Sequence, residues 1–113
     1  MKQIHSSSSS EKILSAFQEH MLSTQGLAVR ACTARVFYVR EFLVRQRQRR
    51  PLRTCLRELT PEVLLDHVLE RSRRDSPQRL QAVTGALRSF ARFLQFMGWN
   101  RLDLSSALPR MIQ

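Results

Sequence analysis

Apolar residues recur every three or four positions in several stretches of the chain, the spacing of one face of an α-helix. In the first stretch this face consists of Ile13, Leu14, Phe17 and Met21. Ser8 and Glu11 have the spacing of a capping box, so we expect the first helix to begin near Ser8. Gly26 is suited to end it as a left-handed cap.

The second predicted helix runs from about Val29 to Gln46. Its core stripe is spaced 3, 4, 3 and 4 residues apart: Val29, Cys32, Val36, Val39 and Leu43. Phe37, Phe42 and Val44 widen this stripe, so we expect the helix to be packed on more than one side. On a helical wheel at about 100° per residue, its polar arc holds Arg30, Ala34, Tyr38, Glu41 and Arg45.

A strongly basic connector follows. Residues 45–57 contain six arginines and no acid, and Pro51 interrupts them. A solvated loop and a loop lying along phosphates both fit this composition, and both stay open here.

Thr60-Pro61-Glu62 predicts the start of a third helix, with a capping hydroxyl, a proline at the first helical position and an acid at the positive end of the dipole. The predicted buried positions are Leu64, Leu65, Val68 and Leu69. Glu62, Asp66 and Glu70 repeat every four residues and form an acidic line on the other side. Because a polyanion would be repelled there, we expect this helix to face away from any nucleic acid.

Ser76-Pro77 predicts the start of a fourth and longest helix, which runs to about Met97 and is closed by Gly98. Its predicted core stripe is Leu80, Val83, Leu87, Phe90, Ala91 and Leu94. The opposite face contains no acid and consists of Gln78, Gln81, Gly85, Arg88, Ser89 and Arg92. A glycine inside a helix costs about 1 kcal/mol relative to alanine. Close approach of another backbone, either DNA or a neighbouring helix, would account for Gly85.

The two ends of the chain lack a long periodic pattern. Residues 1–10 are serine-rich and predict a disordered tail. After Gly98 we expect one short turn capped by Asp103 or Ser105, and the start of a linker at 111–113. With no strand pattern anywhere, we predict an all-α fold: a compact bundle of four helices plus a short C-terminal helical turn.

Charge is the main indication of a partner. Nineteen Lys and Arg oppose nine Asp and Glu in 113 residues, giving a net charge of +10, and seventeen of the nineteen are arginines. Excess positive charge informs about partners rather than fold, and the arginine fork suits phosphates and guanine edges. A basic surface that is merely solvated, or one that meets an acidic protein partner, is the alternative.

Other classes of function find little support. Two cysteines and three histidines show no metal-ligand spacing, and no nucleophile is paired with a base, so we expect no metal, no cofactor, no catalytic residue and no small-molecule substrate. No apolar run is long enough for a membrane span and no secretory signal is evident, so we expect a soluble, cytoplasmic protein without a membrane partner. One domain suits this length.

Among nucleic acids, duplex DNA fits best. A helix enters the major groove of B-form DNA, whereas A-form RNA hides its major groove. Only Tyr38 and Phe96 lie among the basic positions as aromatic residues, which disfavours a platform that stacks single-stranded bases.

Several segments occur in a familiar order. Gln25-Gly26-Leu27 follows the first helix, and Glu41-Phe42-Leu43 closes the second. The later segments are LRELTPEV at 56–63, LRSFARFL at 87–94 ahead of Gly98-Trp99, and DLSSALPR at 103–110. Over residues 11–110 this order resembles the N-terminal core-binding (SAM-like) domain of tyrosine recombinases, the phage-integrase and Xer-type family. The chain has Ala28 and Ala31 where that family often has Ser or Thr, and Arg35 at a frequent Tyr.

The resemblance implies a DNA-binding domain over residues 11–110 that lies on one side of a recombination half-site during DNA integration or recombination. It implies that the second and fourth helices meet the major groove. Arg88 and Arg92 match the family motif, while the helical wheel adds Arg30, Arg45, Gln78, Gln81 and Gly85 as DNA-contacting candidates. The family's catalytic domain is expected downstream, so this chain is not itself expected to be an enzyme. Its expected partners are duplex DNA and sister recombinase subunits.

Overall fold

A computed structural model describes residues 2–48 and 51–100. They form five helices and no strand, which confirms the all-helical class: α1 (Lys2–Ser23), α2 (Val29–Arg47), α3 (Leu52–Arg57), α4 (Pro61–Arg71) and α5 (Pro77–Phe96). The second, third and fourth predicted helices are α2, α4 and α5. The predicted turn near Asp103 and the linker at 111–113 lie outside the described residues.

The bundle has one helix more than the sequence pattern predicted. Within the segment that we interpreted as a basic connector, α3 begins after Pro51 and buries Cys55 and Leu56. Their spacing of three and four residues from Leu52 gives even this short helix an apolar side, which the surrounding arginines obscured.

The first helix also begins earlier than predicted, at Lys2 rather than near Ser8, so the expected tail at residues 2–10 has helical backbone. Serine costs a helix only a fraction of a kcal/mol relative to alanine, so a serine run does not by itself stop a helix. The predicted end is confirmed: Gly26 has a φ of 68°, and the Leu27 N–H donates to the Met21 carbonyl at 3.0 Å.

The core lies where α1, α2 and α5 meet. The predicted core stripes of α1 and α5 are confirmed as buried except for Ile13, which is half-buried. Phe17 of α1 packs edge-on against Phe90 of α5 with 5.2 Å between ring centroids. On α2, Cys32, Val36, Val39, Phe42 and Leu43 are buried. This arrangement leaves the opposite sides of α2 and α5 facing outward.

Four predicted core positions are exposed instead: Val29, Phe37 and Val44 on α2 and Leu69 on α4. Phe37 and Val44 lie about 160° and 140° around the helix from Val39, so they are on the side that no other described helix covers. Val29 is the first residue of its helix, and Leu69 lies about 100° from buried Val68. The second helix is therefore packed on one broad side only.

The two predicted helix starts are confirmed. The Thr60 hydroxyl accepts the Val63 N–H at 3.3 Å, and the Ser76 hydroxyl accepts the Arg79 N–H at 3.2 Å. Each cap supplies one of the acceptors that the first turn of a helix lacks. None of the helices over these ranges is both long and apolar enough to cross a membrane.

Candidate nucleic-acid interface

The outward arc of α5 brings together five of the seven predicted DNA-contacting residues. Gln78, Gln81 and Arg92 are exposed, and Gly85 and Arg88 are half-buried. Their spacing of 3, 4, 3 and 4 residues places them on one side of the helix. The other side carries the buried core stripe, so the division of α5 into two faces is confirmed.

Ser89 does not belong to this outward arc. It is only 1% exposed, and its carbonyl accepts a hydrogen bond from Gln25 Nε2 at 3.3 Å. On the wheel Ser89 falls between exposed Arg92 and buried Phe93. The chain entering α2 covers this edge of α5, which periodicity alone did not reveal.

Arg35 of α2 is the principal basic residue that sequence reasoning did not select. Its Nη1 donates to the Gly85 carbonyl at 3.0 Å and also to the Ser89 hydroxyl. Its Nη2 would lie 3.6 Å from a Cβ built on Gly85. The guanidinium therefore lies across α5 at the glycine, in the seam between the two helices.

The surroundings of Arg35 are electrostatically unfavourable for a cation. Burial lowers the pKa of Arg35, and the nearby positive charges of Arg92 and Arg88 lower it further. Arginine nevertheless stays protonated in proteins. The charges of Arg88 and Arg92 thus act on Arg35 where α2 meets the outward arc of α5. We call these three arginines the seam cluster: Arg35, Arg88 and Arg92.

The sequence does contain a signal for Arg35. It lies three residues after Cys32 and four before Val39, which is core spacing on the same helix. A long basic side chain at such a position can extend along a neighbouring helix while its head stays polar. The spacing of three and four residues, about one helical turn, does not show which helix Arg35 meets.

The two predicted residues on α2 lie apart from each other. Arg30 is exposed in the first turn of the helix, whereas Arg45 is in its last turn. Arg45 Nη1 lies 3.5 Å from Glu70 Oε1, so it forms an ion pair with the acidic line of α4. The polar arc predicted for α2 is therefore not one uniform basic surface.

Tyr38 and Glu41, also on that arc, belong to an internal network around Arg71. Arg71 is buried, with Nη1 at 2.5 Å from Glu41 Oε1 and Nε at 2.7 Å from Asp75 Oδ2. Its guanidinium carbon lies 5.9 Å from the Tyr38 ring centroid, within the range of a cation–π contact. These groups connect α2 to the end of α4.

The acidic line of α4 faces outward as predicted, with Glu62 and Asp66 exposed and Glu70 half-buried. The α5 arc has no acidic residue at all. Positive and negative side chains are thus segregated between two helices of the same bundle. Across the described ranges, no three His, Cys, Asp or Glu side chains gather into a group that could hold a metal ion.

Comparison with known proteins adds no support to the resemblance to tyrosine recombinases, which depends only on the sequence segments named above. No protein-family model, no curated protein and no solved structure matches the chain.

Proposed function

We propose that this chain is the duplex DNA-binding module of a site-specific tyrosine recombinase or integrase, the part that lies on one side of a recombination half-site. The observation that carries the proposal is the acid-free outward arc of α5, with Arg35 of α2 beside its Arg88 and Arg92. Duplex DNA, and sister subunits of the parent recombinase, are the partners that we propose.

The dimensions of the arc support a groove contact. From Gln78 to Arg92 the helix rises about 20 Å, roughly the length over which a helix can follow the major groove of B-form DNA, which is wide enough to admit it. Arg88 and Arg92 supply cations for phosphates, and Gln78 and Gln81 supply amides that can pair with adenine edges. Phosphate contacts would set the position of the domain, and the few base contacts would set its register.

Gly85 is further evidence that the outward arc of α5 contacts DNA in the proposed complex. Among the described residues, the three atoms nearest to a Cβ at this position would all belong to the Arg35 guanidinium, at 3.6 Å or more, which is ordinary van der Waals contact. The neighbouring helices therefore do not require a glycine here, and of the two explanations given above the approach of a DNA backbone is favoured. A glycine where a ligand backbone comes close is a recurrent use of this residue.

The acidic line of α4 sets the limit of the proposed interface. A polyanion is repelled by Glu62 and Asp66, which are exposed. Arg45 lies at that limit because it pairs with Glu70. We therefore propose that Arg45 contributes less to duplex affinity than Arg88 or Arg92.

The test is a titration of a fluorescent duplex with the full chain at low salt, repeated as salt is raised. We expect weak binding with a strong salt dependence, because counterions are released from the phosphates. The double variant Arg88→Ala/Arg92→Ala should lose most of this affinity. Arg73→Ala/Arg74→Ala is the matched control, since it removes two exposed arginines between α4 and α5.

Equal losses in the two double variants would contradict the proposed face. Competition then separates the proposal from an acidic protein partner. Unlabelled duplex should displace labelled polyglutamate from the chain, whereas displacement of duplex by polyglutamate at matched charge would favour the protein-interaction alternative.

A further inference from the structure

Arg35 is a partly buried cation that no carboxylate in the described ranges neutralises. Arg40, Arg45 and Arg71, by contrast, each form an ion pair with a carboxylate. Besides burial, the charges of Arg92 and Arg88 act against the Arg35 cation, while the Cys32 sulfur acts in its favour. A buried charge without a counterion is unfavourable, and like charges nearby add to the cost. The free protein therefore holds positive charge at this seam that an anion would compensate.

The Arg35 guanidinium is also held in place. Its Nη1 donates to a backbone carbonyl and to a buried hydroxyl, both on α5. A guanidinium has five N–H groups, and among the described residues its Nε and Nη2 donate to no protein acceptor. The protein thus fixes the guanidinium through Nη1, and the N–H groups of Nε and Nη2 can donate to a ligand.

We propose that the seam cluster is a subsite for a single phosphate group, with Arg35 as its fixed donor and Arg88 and Arg92 as flanking cations. A guanidinium fork binds phosphate oxygens in a paired geometry, and a phosphate adds the negative charge that Arg35 lacks among the described residues. We identify the phosphate as a phosphodiester of the duplex backbone, and this identification rests on the proposed function. The ability of the three arginines to bind a phosphate does not depend on the proposed function.

The first experiment compares Arg35→Gln with Arg79→Gln in the duplex titration. Arg79 is exposed on the same helix α5 and lies nine residues, or about half a turn in net rotation, from Arg88. We expect Arg35→Gln to weaken duplex binding about tenfold and to lower the salt slope by about one, with a smaller effect of Arg79→Gln. If wild type binds duplex and the two variants lose equal affinity, the subsite is wrong and the proposed function stands.

The second experiment uses the unmodified chain and inorganic tripolyphosphate, followed by NMR of the arginine Nε–H signals. We expect the Arg35 signal to shift at lower ligand concentration than the Arg79 signal. Equal responses of the two signals would overturn the subsite, even if both variants failed to fold. If duplex does not bind but the Arg35 signal responds selectively to tripolyphosphate, the proposed function fails and the phosphate subsite stands.

Discussion

Arg35 of α2 lies across Gly85 of α5, and its Nη1 donates to the Gly85 carbonyl at 3.0 Å. Arg35 has the spacing of a core residue on α2, so the sequence pattern did not identify it as a surface cation. Gly85 lies inside a helix, where a glycine is unfavourable and needs an explanation. The contact also puts Arg35 beside the two arginines that the family motif selected.

Gly85→Ala should stabilise the chain while weakening its binding to duplex. The added methyl makes ordinary contact with Arg35, and alanine is favoured in a helix by about 1 kcal/mol. Urea unfolding should show this gain, and the duplex titration should show the loss if DNA approaches the glycine closely. Ala82→Gly, the reverse change at an exposed position of α5, should destabilise by a similar amount without the effect on DNA.

Ser89→Ala removes one of the two acceptors that hold Arg35 Nη1. Because the hydroxyl is buried, we expect a loss of about 1 kcal/mol in the free energy of unfolding. Duplex affinity should also fall, less than in Arg35→Gln, because the guanidinium keeps its bond to Gly85. Unchanged stability together with unchanged affinity would show that this hydroxyl does not position Arg35.

Arg71→Met should destabilise the bundle by about 3 kcal/mol. The substitution leaves Glu41 and Asp75 without their cation, and the Asp75 side chain is only 7% exposed. Arg40→Met is the matched control, because its partner Glu11 is on the surface. We expect that variant to lose less than about 1 kcal/mol. Denaturant unfolding at neutral pH distinguishes the two, and equal losses would contradict the buried network.

Acid should destabilise the chain through His67. Both of its ring nitrogens are buried without a hydrogen-bond partner among the described residues. Burial, followed by the charges of Arg45 and Arg71, lowers the pKa of His67 from 6.5 to about 4. The unfolded chain therefore takes up a proton below pH 6.5 that the folded chain does not take up until about pH 4. As pH falls from 6.5 to about 4, this histidine should lower the free energy of unfolding by up to about 3 kcal/mol.

To test this prediction, wild type and His67→Leu are each unfolded in urea at several pH values and their free energies of unfolding are compared. The variant should be more stable than wild type near pH 4.5, and the difference between the two should shrink as pH rises towards 7. A difference that does not vary with pH would show that His67 does not titrate between the two states.

Periodicity predicted the outward arc of α5 because the arc depends only on positions within one helix, from Gln78 to Arg92. It did not predict Arg35, whose role depends on which helix lies beside α2. The ion pair of Arg45 with Glu70 was hidden for the same reason, since the two residues are far apart in sequence. The α3 helix was missed because its two buried apolar residues, Cys55 and Leu56, lie in a segment (45–57) that contains six arginines.

The separation of the α5 arc from the acidic line of α4 has a kinetic consequence. An approaching polyelectrolyte feels attraction from one side of the molecule and repulsion from the other before any contact forms. The torque from this field would rotate the domain during diffusion, so that encounters begin with α5 leading. Association would therefore be faster than for a protein of equal net charge spread evenly, and this advantage would disappear once added electrolyte shortens the reach of the field.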